Sequence, residues 1–554
     1  MGEKAAGRSW DKRPRVSRET RGIPALRAIW HHGDYFLLPT NVTRTKRYLS
    51  NVLWSWSGVL LTIVVGFLLS PYLIRHLGDI NFGIWAVATS LVGYYWLMDL
   101  GFRSATIKMS AEFRATGEGE KLNELLSTGV VYASLAGLAI LAATWTAAPV
   151  LARWYKFERP EFVALVRMVG ASFAIGLTFN SILSSCLEGF QRFDLTTRVW
   201  LTLTIVRSVG IYILIRLGHG VLEMGYMLLG AQLMSYAMTY WLFRQAVPGA
   251  RLSVGRARLK MLRAMASYGI HTFTSSVSNL LLNRSVVFLI PRMLGIGLVP
   301  YFTVPVSILE YATDGIGRIG MVTTPNATEL MAKGEPEGLV DLAVYANRYS
   351  FVLFGPVAIF LMTYGPEFFG LWIRKSYAVD CGQLLPVLLL GQFIMAGQQN
   401  SVSVLFGIGR HQTYARCLLA EAVLMTVGVV LMLPRGGLVG AAWVVSIMMA
   451  LNRGAGVCWL VSKELKISPF RYAWRIYAIP LAITLGVWIA LGRIKAYWIP
   501  GHTWWQLIAA GAIMGVVYSF FAFRFSLSRR HRERILGMVR EALFTAETPR
   551  TQRR

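Results

Sequence analysis

The chain of 554 residues is 55% hydrophobic and only 15% charged, with a mean hydropathy of +0.49; soluble domains carry about 25% charged residues, so this much apolar surface calls for lipid rather than water. A net charge of +28 would suit nucleic acid in a soluble protein, but Arg and Lys are gathered where apolar segments end, which points to anionic membrane lipid as the partner and not to nucleic acid. The four cysteines, Cys186, Cys381, Cys417 and Cys458, lie in or beside apolar segments without CxxC spacing; they read as packing residues, and no metal or cofactor is expected.

Residues 1–47 are a basic tail without the apolar core of about 7 to 15 residues that a cleavable signal requires. Ile23, Leu26, Ile29, Trp30, Tyr35 and Phe36 suit a short interfacial helix, and a disordered tail fits equally well. Fourteen apolar windows follow, near 51–74, 82–102, 126–148, 163–186, 198–217, 224–243, 268–291, 298–320, 346–364, 383–406, 413–433, 438–460, 473–492 and 504–523. Each has roughly the 20 residues that cross a hydrocarbon core of about 30 Å. Backbone groups in lipid must bond within their own segment, so the spans are helices. The expected fold is an all-α polytopic membrane protein in six parts: a tail (1–47), an N-lobe of six helices (48–245), a basic linker (246–264), a C-lobe of six (265–462), two further helices (463–524) and a basic tail (525–554).

The lobes are copies. His76-Leu77-Gly78 returns as Met293-Leu294-Gly295, Asp99-Leu100-Gly101 as Asp314-Gly315-Ile316-Gly317, and Thr116-Gly117-Glu118 as Lys333-Gly334-Glu335. Leu187-Glu188-Gly189 with Arg192 returns as Leu405-Phe406-Gly407 with Arg410, and Gly220 as Gly437. A period near 217 is too long for a solenoid and suits a duplicated helical bundle. Six is even, so both copies start from the same side and enclose a cleft, a plan found in transporters that rock one repeat against the other.

Basic residues crowd both tails, the linker (Arg244, Arg251, Arg256, Arg258, Lys260, Arg263) and the segment with Lys463, Lys466, Arg471 and Arg475. By the positive-inside rule all four face the cytoplasm. The segment 103–125, with Gly117 at its centre, predicts a surface helix, a turn and a second helix, repeated over 323–345. On the other side the longest connections are 149–162 and 365–382, too short for a domain.

The run Arg75-His76-Leu77-Gly78-Asp79-Ile80-Asn81-Phe82-Gly83-Ile84-Trp85, with Asp99-Leu100-Gly101 at the end of the second span and the Gly409-Arg410 turn, resembles the polysaccharide exporters, the Wzx-type O-antigen flippases of the multidrug/oligosaccharidyl-lipid/polysaccharide (MOP) superfamily. The resemblance implies an inner-membrane protein with twelve helices in two lobes and two added. It further implies an undecaprenyl-diphosphate-linked oligosaccharide as substrate, moved to the outer leaflet, and other polysaccharide assembly proteins as partners. The second copy departs from the motif, with Val299-Pro300-Tyr301 in place of the aromatic-Gly pair.

An ionisable group at the centre of a span costs at least about 2.5 kcal/mol and normally faces a cavity or a partner. Arg284, beside Asn283, lies deep in the seventh span, and Glu310, Asp314 and Arg318 form a stripe on the eighth. The hairpin turn sets Arg284 opposite Glu310, so an ion pair is expected. Arg284 and Arg318 are the candidates for gripping a diphosphate, which an Arg fork suits; an ion pair locking the two helices is the other reading. Asp99 and Arg103 are either a gate or an interfacial pair. Arg207, Glu421 and Arg453 sit on more peripheral spans, and His271 reads as a packing residue. Gln392, Gln398, Gln399 and Asn400 either meet sugar hydroxyls or bond between helices. Trp54 and Trp56 are candidates for stacking on sugar or isoprenoid, whereas Trp96, Trp154, Trp372, Trp498, Trp504 and Trp505 suit the interfacial belt.

A drug/cation antiporter of the superfamily and a peptidoglycan lipid II flippase are rival functions. The first commonly has an acid in its first helix, and none occurs here between Arg47 and Asp79. A polytopic glycosyltransferase or polymerase is the enzymatic rival; the chain has no HExxH, Walker A or GxSxG pattern, so a transporter rather than an enzyme is expected. Cysteines placed at Lys121 and Arg256 should label from the cytoplasm, and those at Lys156 and Lys375 from outside. Reversed labelling would overturn the orientation.

Overall fold

Helix is what lipid enforces on a chain of this composition, and every regular element among the described residues is helical. The computed structural model describes residues 44–317, 319–528, 531–533 and 536–537. The described residues from Trp54 onward form one compact unit. α1 (Arg44–Tyr95) breaks at Gly78, where φ is 75° and ψ 170°. α2 (Phe102–Thr116), α3 (Gly119–Trp154), α4 (Pro160–Ile175), α5 (Ile182–Gly189), α6 (Phe193–Arg216) and α7 (Val221–Ala246) complete the first repeat. The second holds α8 (Leu259–Met293), α9 (Val299–Gly317), α10 (Gly320–Lys333), α11 (Pro336–Trp372), α12 (Lys375–Ala396), α13 (Gln399–Gly407) and α14 (His411–Met448). A π-helical stretch, Met449–Gly456, runs on into α15 (Val457–Glu464), followed by α16 (Pro469–Tyr497) and α17 (Trp504–Phe521).

Among the described residues ten stretches are long and apolar enough to cross a membrane. Two of them, Leu60–Asp99 with 40 residues and His411–Glu464 with 54, have length for two crossings at about 1.5 Å per residue.

The duplication is visible in backbone detail. Gly78 and Gly295 both take positive φ, 75° and 102°, where the first arm of each copy turns back. α2 and α10 both end on a left-handed glycine, Gly117 and Gly334, so the predicted helix–turn–helix holds in both copies. Gly189 and Gly407 make the same close approach: a Cβ would lie 2.5 Å from the Ile107 carbonyl oxygen in one and 2.6 Å from that of Thr324 in the other. Where the copies differ, the first has π-helical turns, Gly176–Ser181, between α4 and α5, and the second breaks at Gly397–Gln398 between α12 and α13.

Two expectations are corrected. The segment 365–382 is no loop: α11 continues to Trp372 and α12 starts at Lys375. Trp372 is 5% exposed, its indole N–H donating to the Phe67 carbonyl at 2.9 Å, so it belongs to the core and not to an interfacial belt. The basic linker is stapled to α3: Arg251 N–H to Asn123 Oδ1 at 2.8 Å, Ser253 N–H to Ser127 Oγ at 3.2 Å and Arg258 N–H to Thr128 Oγ1 at 3.0 Å. Met261 and Met265 of α8 then bury in the first repeat's core, whereas Leu282, Val286 and Ile290 bury in the large core shared by both repeats. α8 is thus the strut between the lobes.

The last two helices belong to the second repeat. Tyr472 of α16 is fully buried with its hydroxyl 2.9 Å from Asn347 Nδ2 and 2.8 Å from Ser401 Oγ, and Lys495 pairs with Glu367 of α11 at 2.6 Å. Gly189→Ala and Gly407→Ala should each destabilise the protein by about 1–3 kcal/mol, because an added methyl meets backbone that cannot yield locally. The check is thermal unfolding in detergent, and unchanged midpoints would contradict the close approach.

Candidate functional site

At the end of the bundle where Gly78 and Gly295 turn, the repeats are clasped together. Arg75 of α1 reaches the carboxyl end of α11 and donates from Nε to the Ile373 carbonyl at 2.6 Å and from Nη2 to those of Leu371 and Trp372, both at 2.9 Å. Those carbonyls lack partners within their own helix, and a cation at a helix C-terminus also meets the favourable end of the dipole. Asp79 accepts from the hydroxyls of Tyr301, at 3.0 Å, and Tyr377, at 2.8 Å, and pairs with Arg374. Phe67 stacks on Trp372 with ring centroids 4.9 Å apart. Gly83 passes so near the Ile296 carbonyl that a Cβ would stand 2.2 Å from its oxygen. The glycine of the Phe82-Gly83 pair is therefore required by the neighbouring repeat, and the second copy, which has Pro300 there, meets no such constraint.

Deeper in the second repeat lies a cavity of about 680 Å³, within the usual range for small-molecule sites. Helices α8, α9, α10, α12, α13 and α14 and the π-helical stretch converge on it. α8 supplies Asn279, Asn283 and Arg284, α9 Ser307, Glu310 and Asp314, α12 and α13 Gln392, Gln398, Gln399 and Ser403, and α14 with the π-helical stretch Tyr414, Glu421 and Arg453. Asn283, Arg284 and Asp314 are exposed on it, and Glu310 is half-buried. Arg284 lies against Gly93 of α1, where a Cβ would come within 3.2 Å of its Cγ, so the first repeat backs the guanidinium stem. Glu421, with its side chain 1% exposed, pairs with Arg453 Nε at 2.9 Å and accepts from Asn452 Nδ2 at 2.7 Å.

The structure brings together Asn283, Arg284, Glu310 and Asp314 as expected. It does not make the expected contact pair: Arg284 and Glu310 face one cavity, and no ion pair joins them among the described residues. Arg318, together with the side chains of His271, Trp54 and Trp56, lies outside the described residues. Asp99 accepts the Arg103 backbone N–H at 3.3 Å, while the Arg103 guanidinium reaches Glu188 of α5 at 2.5 Å; the two fasten α2 at its start and to α5. Arg207 is exposed on α6, apart from the cavity. Glu421 and Arg453, read from the sequence as peripheral, line the cavity, carried there by α14 and the π-helical stretch. The amides divide: Asn400, fully buried, bonds Ser350 Oγ at 2.6 Å and the Ala346 carbonyl at 3.2 Å, whereas Gln392 and Gln399 face the cavity.

Helices in this order, duplicated and clasped, have the fold of the MOP exporters. A multidrug MATE transporter of that superfamily, in an inward-facing form, superposes with a TM-score of 0.59 at 17% identity over 74% of this chain and 94% of its own. The lipid II flippase MurJ, in an inward closed form, does so with 0.67 at 12% identity over 86% and 98%. In sequence, the membrane protein EpsK of Bacillus subtilis is 20% identical over 88% of this chain and 96% of its own length. A candidate O-antigen transporter of Shigella flexneri is 20% identical over 73% and 95%. The model of the polysaccharide biosynthesis protein family matches residues 48–331, just over half of the chain, and the chain belongs to that family.

The clasp is testable by itself. Asp79→Ala and Arg374→Ala should each lower the unfolding midpoint, with a coupling of about 0.5–1 kcal/mol in the double variant, small because the Arg374 side chain is 39% exposed. Strictly additive effects would show that the two side chains do not meet.

Proposed function

We propose that this chain is a flippase that carries a lipid-linked oligosaccharide across a bacterial cytoplasmic membrane by alternating access, with Arg284 gripping the diphosphate of the carrier lipid. The observation that carries this reading is Arg284 itself: a guanidinium at membrane depth, held by Gly93 behind it and turned onto a large cavity without a contact ion pair. A charge in a span is costly, and a planar fork of donors matches phosphate oxygens in pairs. Arg318 remains a second candidate for the same grip. The clasp supports alternation, since it closes one end of the boundary between the repeats through groups that can be satisfied by water once parted.

In this reading the moving bodies are residues 48–245, with the linker 246–264 stapled to them, and 265–462, with 463–524 attached; both tails are cytoplasmic and the clasp is external. Anionic inner-leaflet lipid neutralises the tails, and polysaccharide assembly proteins are the expected partners. One observation favours a second reading: Glu310 and Asp314 share the cavity, and acids suit an exported cationic drug. Arg284 decides between them. Arg284→Ala should abolish glycan export while the protein still inserts in the membrane, and Arg284→Lys should recover part of it. Normal glycan export by Arg284→Ala removes the phosphate grip, and loss of cation efflux in Glu310→Gln would establish the rival.

A further inference from the structure

The cavity beside Arg284 carries buried acceptors that a phosphate grip does not use, alongside one buried unpartnered donor, Gln398 Nε2. Gln399 donates its amide to the Thr313 carbonyl at 3.3 Å and leaves Oε1 buried without a partner. Gln392 Oε1 is likewise buried and unpartnered. Both residues line the cavity, as do the carboxylates of Glu310 and Asp314 on α9. A buried unsatisfied acceptor carries a desolvation cost unless something donates to it. Asn400, next in the chain, shows what a packing amide looks like here: its amide donates to the Ala346 carbonyl and Ser350 Oγ, and its carbonyl accepts from the Thr323 hydroxyl at 3.5 Å.

The chemistry of the wall selects its ligand. Phosphate oxygens only accept, so carboxylates and carboxamide oxygens repel them or leave them unbonded. A polyhydroxyl ring does the reverse, because every hydroxyl can donate. Phe302 and Phe406, which also line the cavity, offer the apolar surface that a sugar ring's C–H face requires. We propose that Gln392, Gln399, Glu310 and Asp314 form a sugar-binding subsite, which takes a hexose or N-acetylhexosamine ring while the diphosphate attached to it lies at Arg284. The inference rests on the flippase reading above and goes further: it divides the cavity into a cationic part that reads the carrier and an acceptor-lined part that reads the glycan. Selectivity among glycans then resides in α12 and α13, on either side of the Gly397–Gln398 break.

The test uses the full chain in lipid nanodiscs and two kinds of probe: undecaprenyl diphosphate, and undecaprenyl diphosphate bearing glucose, galactose or N-acetylglucosamine. At least one glycosylated probe should bind the wild type about tenfold or more tightly than the bare carrier. Gln392→Met and Gln399→Met, which keep volume but remove the acceptors, should each erase most of that advantage and leave affinity for the bare carrier unchanged, a loss of about tenfold per acceptor. Since that bare-carrier affinity also reports folding, Gln392→Glu serves as a second variant, retaining the acceptor and the advantage. If the carrier binds and no sugar adds affinity, or the methionine variants keep the advantage, the subsite is wrong and the flippase reading stands. If neither carrier nor glycosylated probe binds, both fall.

Discussion

The carboxyl end of α11 sets the terms for the rest of the molecule. A helix leaves its last carbonyls unbonded, and here they emerge where the two repeats meet, with Trp372 buried among them. The donors come from the opposite repeat, through Arg75. A guanidinium so engaged needs its chain held in place, and the next turn supplies this by placing Asp79 against Tyr301, Tyr377 and Arg374. Satisfying one helix end therefore joins both repeats at one end of the boundary between them. The Arg75–Gly83 motif, which looks in sequence like a turn between two spans, works as an interface. The turn needs only Gly78, whereas Arg75, Asp79 and Gly83 are all directed at the other copy.

This explains what was legible in the chain beforehand. Apolar windows, glycine-marked turns and the repeat are local or periodic signals; the structure shows ten membrane-length stretches among the described residues and repeats backbone detail down to Gly189 and Gly407 against equivalent carbonyls. The grouping of Arg284 with Glu310 and Asp314 was readable because a hairpin fixes which residues face each other. The contact between them was not, since the side chains turn toward the cavity instead of toward one another. The clasp was hidden because Arg75 bonds to backbone 298 positions away, and a carbonyl has no letter in the sequence. Glu421 and Arg453 were misread for a different reason: their spans were taken as peripheral, whereas α14 and the π-helical stretch that follows it form part of the cavity wall. Trp372 sits near a span end like a belt residue, yet the helix runs past the expected boundary and carries the indole into the core.

Divergence between the copies follows from this division of labour. Once the first repeat offers Arg75, Asp79 and Gly83 to the interface, the equivalent stretch of the second is free of those demands, and Tyr301, near the place of the missing aromatic-Gly pair, becomes a hydroxyl donor to Asp79. The second repeat carries the cost of burying polar groups instead. It can do so because Glu421 is neutralised by Arg453, Asn347 donates to Tyr472 and Ser401, and Asn400 donates to Asn347, Ser350 and the Ala346 carbonyl. Among the described residues the first copy supplies Arg75, Asp79 and Gly83 to the clasp, and the second supplies the charged and amide groups of the cavity described above.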